Sequence, residues 1–164
     1  MKTKRLVGLA LIGLWWVSVN LAWVEVGNQS LTGGELAPVL NLLPAIAGVS
    51  VFISMYGKFT KLLGLFATFL TAIGAWISIS TNWQASAAVV EILEQISGVL
   101  NADQHASGVS VVVTLAPLVS AGLAIATGLV ITWASISTES RASSSIIKQD
   151  AVINDPRTLW DEQS

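Results

Sequence analysis

The 164-residue chain contains no cysteine, one histidine (His105) and one tyrosine (Tyr56), and only 11% of its residues are charged. Without cysteine there is no disulfide, no thiolate zinc site, no iron–sulfur cluster and no thiol nucleophile. A single histidine excludes bis-histidine haem ligation within the chain. Soluble domains carry about 25% charged residues, so the shortage of charge is large. Net charge is only -2, which gives no bulk attraction to nucleic acid. No phosphate loop, nucleophile elbow or histidine-rich metal motif occurs, so no catalytic, cofactor or metal residue is expected and the chain reads as a non-enzyme.

What is present is apolar. Hydrophobic residues make up 53% and the mean hydropathy is +0.70. They come in long charge-free blocks, the mark of an integral membrane protein. The segment Trp23 to Pro44 organises the rest: a first apolar run ends there, turns through Gly27, Asn28, Gly33 and Gly34, and a second begins. The expected fold is all-α, with four transmembrane helices at about 6–23, 36–56, 62–80 and 109–136 and a tail over 137–164. Run one is about 18 residues, or roughly 27 Å of helix, close to the hydrocarbon thickness of about 30 Å. Its exit, Ser18-Val19-Asn20-Leu21-Ala22-Trp23, matches a signal-peptidase site poorly, so it is read as a retained span. Pro38 suits the first turn of span two. Pro117 either kinks span four or marks where its buried part begins.

Between spans three and four, Ala85, Ala88, Val89, Ile92, Ile96, Val99 and Leu100 recur at helical spacing, with Gln84, Glu91, Glu94 and Gln95 opposite. This predicts a short extracytoplasmic amphipathic helix over about 84–100. It is acidic, so packing on protein suits it better than packing on lipid. Ile92 and Ile96, together with Trp160 in the tail, are the candidate interaction residues. All eight basic residues fall on one side: Lys2, Lys4, Arg5, Lys58, Lys61, Arg141, Lys148 and Arg157. The excess of lysine and arginine in cytoplasmic loops places both termini in the cytoplasm of a multi-pass plasma-membrane protein.

No span carries a charge, which speaks against a proton relay or ion-coupled path. Tryptophans cluster at predicted span ends (Trp23, Trp76, Trp83, Trp133), as in an interfacial aromatic belt. Trp15 and Trp16 lie deeper and are the candidates for an indole-lined site. Asn20 and Asn41 are the most polar side chains in or near the first two spans, suited to an interhelical hydrogen bond or to a solute path. Small residues such as Gly8, Gly13, Ala45, Gly48, Gly64 and Gly74 allow close helix packing.

The Trp23-Val24 exit, the Thr32-Gly33-Gly34-Glu35-Leu36-Ala37-Pro38 entry, the apolar block Leu42 to Ser54 and the tail Asp155-Pro156-Arg157-Thr158-Leu159-Trp160-Asp161 resemble the actinobacterial tryptophan-associated (tryptophan-operon region) transmembrane proteins. The resemblance implies a four-span plasma-membrane protein and supplies no catalytic residue. Two functions are expected from these features. The first is a non-catalytic accessory or assembly subunit of a larger plasma-membrane complex, for example a respiratory one, with membrane lipid and other integral membrane proteins as partners. The second is a small transporter or transport partner for an aromatic solute such as tryptophan.

Overall fold

The computed structural model describes residues 2–56, 59–98 and 108–153, with side chains placed over 3–56, 59–98 and 108–136. The described residues are mostly helical. They form α1 (Lys2–Val19), α2 (Gly33–Leu36), α3 (Val39–Ser54), α4 (Thr60–Ser80), α5 (Ala87–Ser97) and α6 (Ala116–Ile153). Strands β1 (Ala22–Val26), β2 (Gln29–Thr32) and β3 (Val111–Val113) make an antiparallel sheet in the order β2-β1-β3. A 3-10 turn spans Trp83–Ala85.

The four longer helices α1, α3, α4 and α6 form a bundle in that cyclic order, each packing on two neighbours. Helix α4 and the first 21 residues of α6, Ala116–Ile136, are long and apolar enough to cross a membrane. Helix α3 is apolar but has 16 residues, and α1 opens on its basic residues. The bundle exposes apolar side chains on every helix: Val17 (53%), Phe52 (54%), Phe69 (62%) and Leu129 (67%). Among the described residues, its buried polar side chains are serines and threonines, with no charged group. Buried Ser18, Ser54, Thr71, Ser78 and Thr127 each donate back to a carbonyl three or four residues earlier in their own helix. Thr68 and Thr132 meet at 3.1 Å between α4 and α6.

The sheet corrects the all-α expectation. Val24 and Val26 are buried while Glu25 is exposed, the period-two alternation of a strand with one covered face. Gly27, at φ +59°, opens the two-residue connection to β2, where a glycine meets no steric cost. The first apolar helix therefore ends at Val19, short of the expected 23, with residues 22–23 in β1. The last long helix starts at Ala116 rather than 109, because 111–113 pair with β1 and Pro117 takes the first helical turn. Leu36 belongs to α2, which is opened by a Thr32–Glu35 capping box and separated from α3 by extended Ala37.

The amphipathic helix exists as α5, shorter than expected. Extended Ser86 precedes it, and Gly98 in the left-handed region (φ +69°) ends it. It packs on β1, α2 and the 3-10 turn, burying Val89 and Leu93. Helix α6 continues to Ile153, so residues 137–153 of the expected tail are helical. Extending a helix already nucleated costs little per residue, even for weak helix formers. These 17 residues extend about 25 Å past Ile136 at 1.5 Å per residue.

Candidate functional site: the sheet end and the α1–α3 face

The charged side chains that are placed, those within residues 3–136, separate to the two ends of the bundle. Lys4, Arg5 and Lys61 lie at one end, where Arg5 donates to Ser54 O and Lys4 Nζ sits 3.6 Å above the Trp133 ring. Glu25, Glu35, Glu91 and Glu94 sit on the sheet, on α2 and on α5 at the other. Glu35 accepts from Thr32 N (2.8 Å) and Thr32 Oγ1 (2.9 Å), which holds its carboxyl below the ordinary value. No cluster of three histidine or acidic side chains able to hold a metal occurs among the described residues.

At the sheet end two tryptophans close the bundle. The register of β1 against β2 shifts between Ala22 and Val24, so Trp23 occupies a bulge and turns inward. Its Nε1 donates to Ser18 O at 2.9 Å, and Trp83 Nε1 donates to Ser78 O at 3.1 Å. Each indole thus satisfies a carbonyl near the C-terminus of α1 or α4, groups that a helix end leaves without an internal partner. The rings meet edge to face, with centroids 5.0 Å apart at 80°. Both are buried, Trp23 completely, so the interfacial-belt expectation fails for this pair. Trp76 and Trp133 remain exposed, at 73% and 59%.

A repeat in the sequence underlies this arrangement and was the signal that could have found it. Trp16-Val17-Ser18-Val19 leads to Trp23 as Trp76-Ile77-Ser78-Ile79 leads to Trp83, at identical spacing. Leu36-Ala37-Pro38 at the entry to α3 matches Leu115-Ala116-Pro117 at the entry to α6. The cyclic order of the bundle is unchanged when α1 is exchanged with α4 and α3 with α6. Among the described residues, two helical hairpins thus carry matching motifs at equivalent positions and are joined by β1–β3 pairing.

Trp15 and Trp16 part company. Trp15 is completely buried and its ring lies against Gly74 of α4, where a Cβ would clash with it. Its Nε1 has no hydrogen-bond partner. Trp16 is 51% exposed and lines an apolar groove of about 320 Å³ between α1 and α3. One turn toward the sheet, Asn20 Nδ2 donates to Trp16 O (2.9 Å) and to Asn41 Oδ1 (3.2 Å). The interhelical hydrogen bond expected of the asparagines is thus present, and Trp16, Asn20 and Asn41 share one face. Trp15 does not join them. Of the interaction candidates, Ile92 packs against the core and Ile96 is 47% exposed. Trp160 lies outside the described residues.

No family model matches the chain, and neither a curated protein nor a solved structure is similar to it.

Proposed function

We propose that the chain is a four-span plasma-membrane protein with both termini in the cytoplasm, serving without catalysis as an accessory or assembly subunit of a larger membrane complex. The observation that carries this is the apolar surface on all four bundle helices, with the placed charged side chains confined to the two ends. A soluble monomer rarely exposes an apolar patch beyond a few hundred Å². In lipid the same surface costs nothing, and a charge-free interior closed by hydroxyl-to-carbonyl bonds offers no route for ions. Basic residues at one end and acidic ones at the other support the orientation. The resemblance to the actinobacterial tryptophan-associated proteins points the same way through its quoted motifs.

Gentle affinity purification from native membranes, with mass spectrometry of what co-purifies at fixed ratio, tests the role. A stoichiometric complex supports an accessory subunit, and a chain that purifies only with itself opposes it. A second reading, a transport partner for an aromatic solute, draws on Trp16 facing the groove one turn from Asn20 and Asn41. Trp16→Ala or Asn41→Leu would then change solute flux at constant protein abundance.

A further inference from the structure

Arg5 carries more hydrogen-bond donors than the chain uses. It is partly buried at the basic end of the bundle, and its guanidinium donates one N–H to Ser54 O. A guanidinium has five such groups, in a rigid fork suited to carboxylate or phosphate. The others meet no acceptor among the described residues. Lys4, its neighbour in sequence, is also partly buried, with Nζ held 3.6 Å above the Trp133 ring. Among the described residues no acidic side chain is placed at this end, since Glu25, Glu35, Glu91 and Glu94 lie at the other.

Both cations line one cleft. It opens where α1, α3, α4 and α6 converge, and its walls include Lys4, Arg5, Gly8, Ser54, Gly64 and Ser135. The walls are close together: a Cβ at Gly64 would fall 2.5 Å from Ser135 Oγ. The cleft has room for little more than a water molecule, about 10 Å³, so an anion sits at its mouth rather than inside it. Tyr56 and Trp133, 77% and 59% exposed, flank this end. Such rings mark the headgroup level of a bilayer, where lipid phosphates lie. The cytoplasmic leaflet is the one that carries anionic lipid.

We propose that the mouth of this cleft binds the phosphate of an anionic phospholipid of the inner leaflet, gripped by Arg5 and Lys4 together. The proposal rests on the membrane reading above. Charge complementarity names the ligand: two cations held in place, no placed carboxylate beside them, and a position at headgroup depth. Basic pockets between membrane helices take anionic headgroups in this way. Lys61, exposed on the first turn of α4, does not line the cleft and adds only general attraction.

The purified full chain in detergent is titrated with phosphatidylglycerol or with phosphatidylcholine, and lipid-bound species are counted by native mass spectrometry. One phosphatidylglycerol is expected to bind well before any phosphatidylcholine. Lys4→Gln and Arg5→Gln are each expected to weaken that first site about fivefold, the effect of one basic group near a headgroup. Lys61→Gln is expected to change it by less than about twofold. Unfolding midpoints without lipid identify a variant that has lost its fold. Lys4→Gln leaves the Arg5–Ser54 bond in place and decides the matter if Arg5→Gln does not fold. Equal binding of the two lipids, or equal losses from Lys4→Gln, Arg5→Gln and Lys61→Gln, overturns the site in favour of diffuse charge. Displacement of the lipid by inorganic phosphate at equal concentration makes the ligand a free phosphate and overturns the lipid assignment. Extraction of native membranes at alkaline pH separates this proposal from the membrane reading. Release of the chain overturns that reading and the lipid with it, whereas retention with no lipid preference overturns the site alone.

Discussion

The indoles of Trp23 and Trp83 touch edge to face at 5.0 Å, and each donates to the carbonyl of the serine five residues before it. The contact joins equivalent positions of the two helical hairpins and fastens the sheet to the bundle. Trp23→Phe and Trp83→Phe keep a ring and remove one hydrogen bond each, at an expected cost of about 1 kcal/mol. Replacement by alanine costs about 3–5 kcal/mol at either position. A double-mutant cycle is expected to give a coupling of about 0.5–1.5 kcal/mol, the range for aromatic pairs. Thermal unfolding in detergent measures all three, and additive losses would mean that the rings do not support each other.

Glycine at two positions is set by opposite surroundings. A Cβ at Gly33 would fall 2.5 Å from Trp23 Cε2, whereas one at Gly122 meets nothing within 4 Å. Gly33→Ala is expected to destabilise by about 1–3 kcal/mol through overpacking. Gly122→Ala is expected to stabilise by about 0.5–1 kcal/mol, the ordinary gain for alanine over glycine inside a helix. Unfolding of the two variants side by side checks the sign of each.

The capping box on α2 titrates. Hydrogen bonds from the Thr32 backbone and side chain lower the Glu35 pKa from its ordinary 4.5. A carboxyl depressed on folding contributes stability above its unfolded pKa and loses it as pH falls through the folded one. The wild-type unfolding midpoint is therefore expected to fall as pH drops below about 4.5, and to fall less in Glu35→Gln. Parallel curves for the two chains from pH 6 to pH 3 would show that the box carries no pH dependence.

Helix α5 separates stability from assembly. Leu93 is 1% exposed, and Leu93→Ala is expected to cost about 2–5 kcal/mol. Ile96 is 47% exposed, and Ile96→Asp is expected to leave the unfolding free energy within about 0.5 kcal/mol of wild type. Under the accessory-subunit reading, Ile96→Asp lowers recovery of the co-purifying complex at unchanged abundance. Full recovery removes α5 as the docking surface.

The long helices were legible because charge-free runs bounded by basic residues and glycines have one ready explanation. The strands were not. Trp23 and Val24 both point inward at the bulge, which breaks the alternation in a five-residue strand. Val111–Val113 runs on into the apolar start of α6, and a short apolar run does not tell strand from helix. Trp23 and Trp83 read as interfacial because their spacing from Ser18 and Ser78 has meaning only when the two segments are compared. The Asn20–Asn41 bond was legible, since both are polar residues in adjoining runs. That Trp15 would be enclosed and Trp16 exposed was not, because neighbours on a helix face directions about 100° apart and the sequence does not say which faces in.

The central claim is that the four bundle helices cross a membrane with the sheet on the outer side. Single cysteines in the otherwise cysteine-free chain, Ser30→Cys on β2 and Phe59→Cys just before α4, are treated with a membrane-impermeant maleimide in intact cells, then after permeabilisation. The expected result is labelling of Ser30→Cys in intact cells and of Phe59→Cys only after permeabilisation. Labelling of both only after permeabilisation, with the chain released from membranes by alkali, would contradict it.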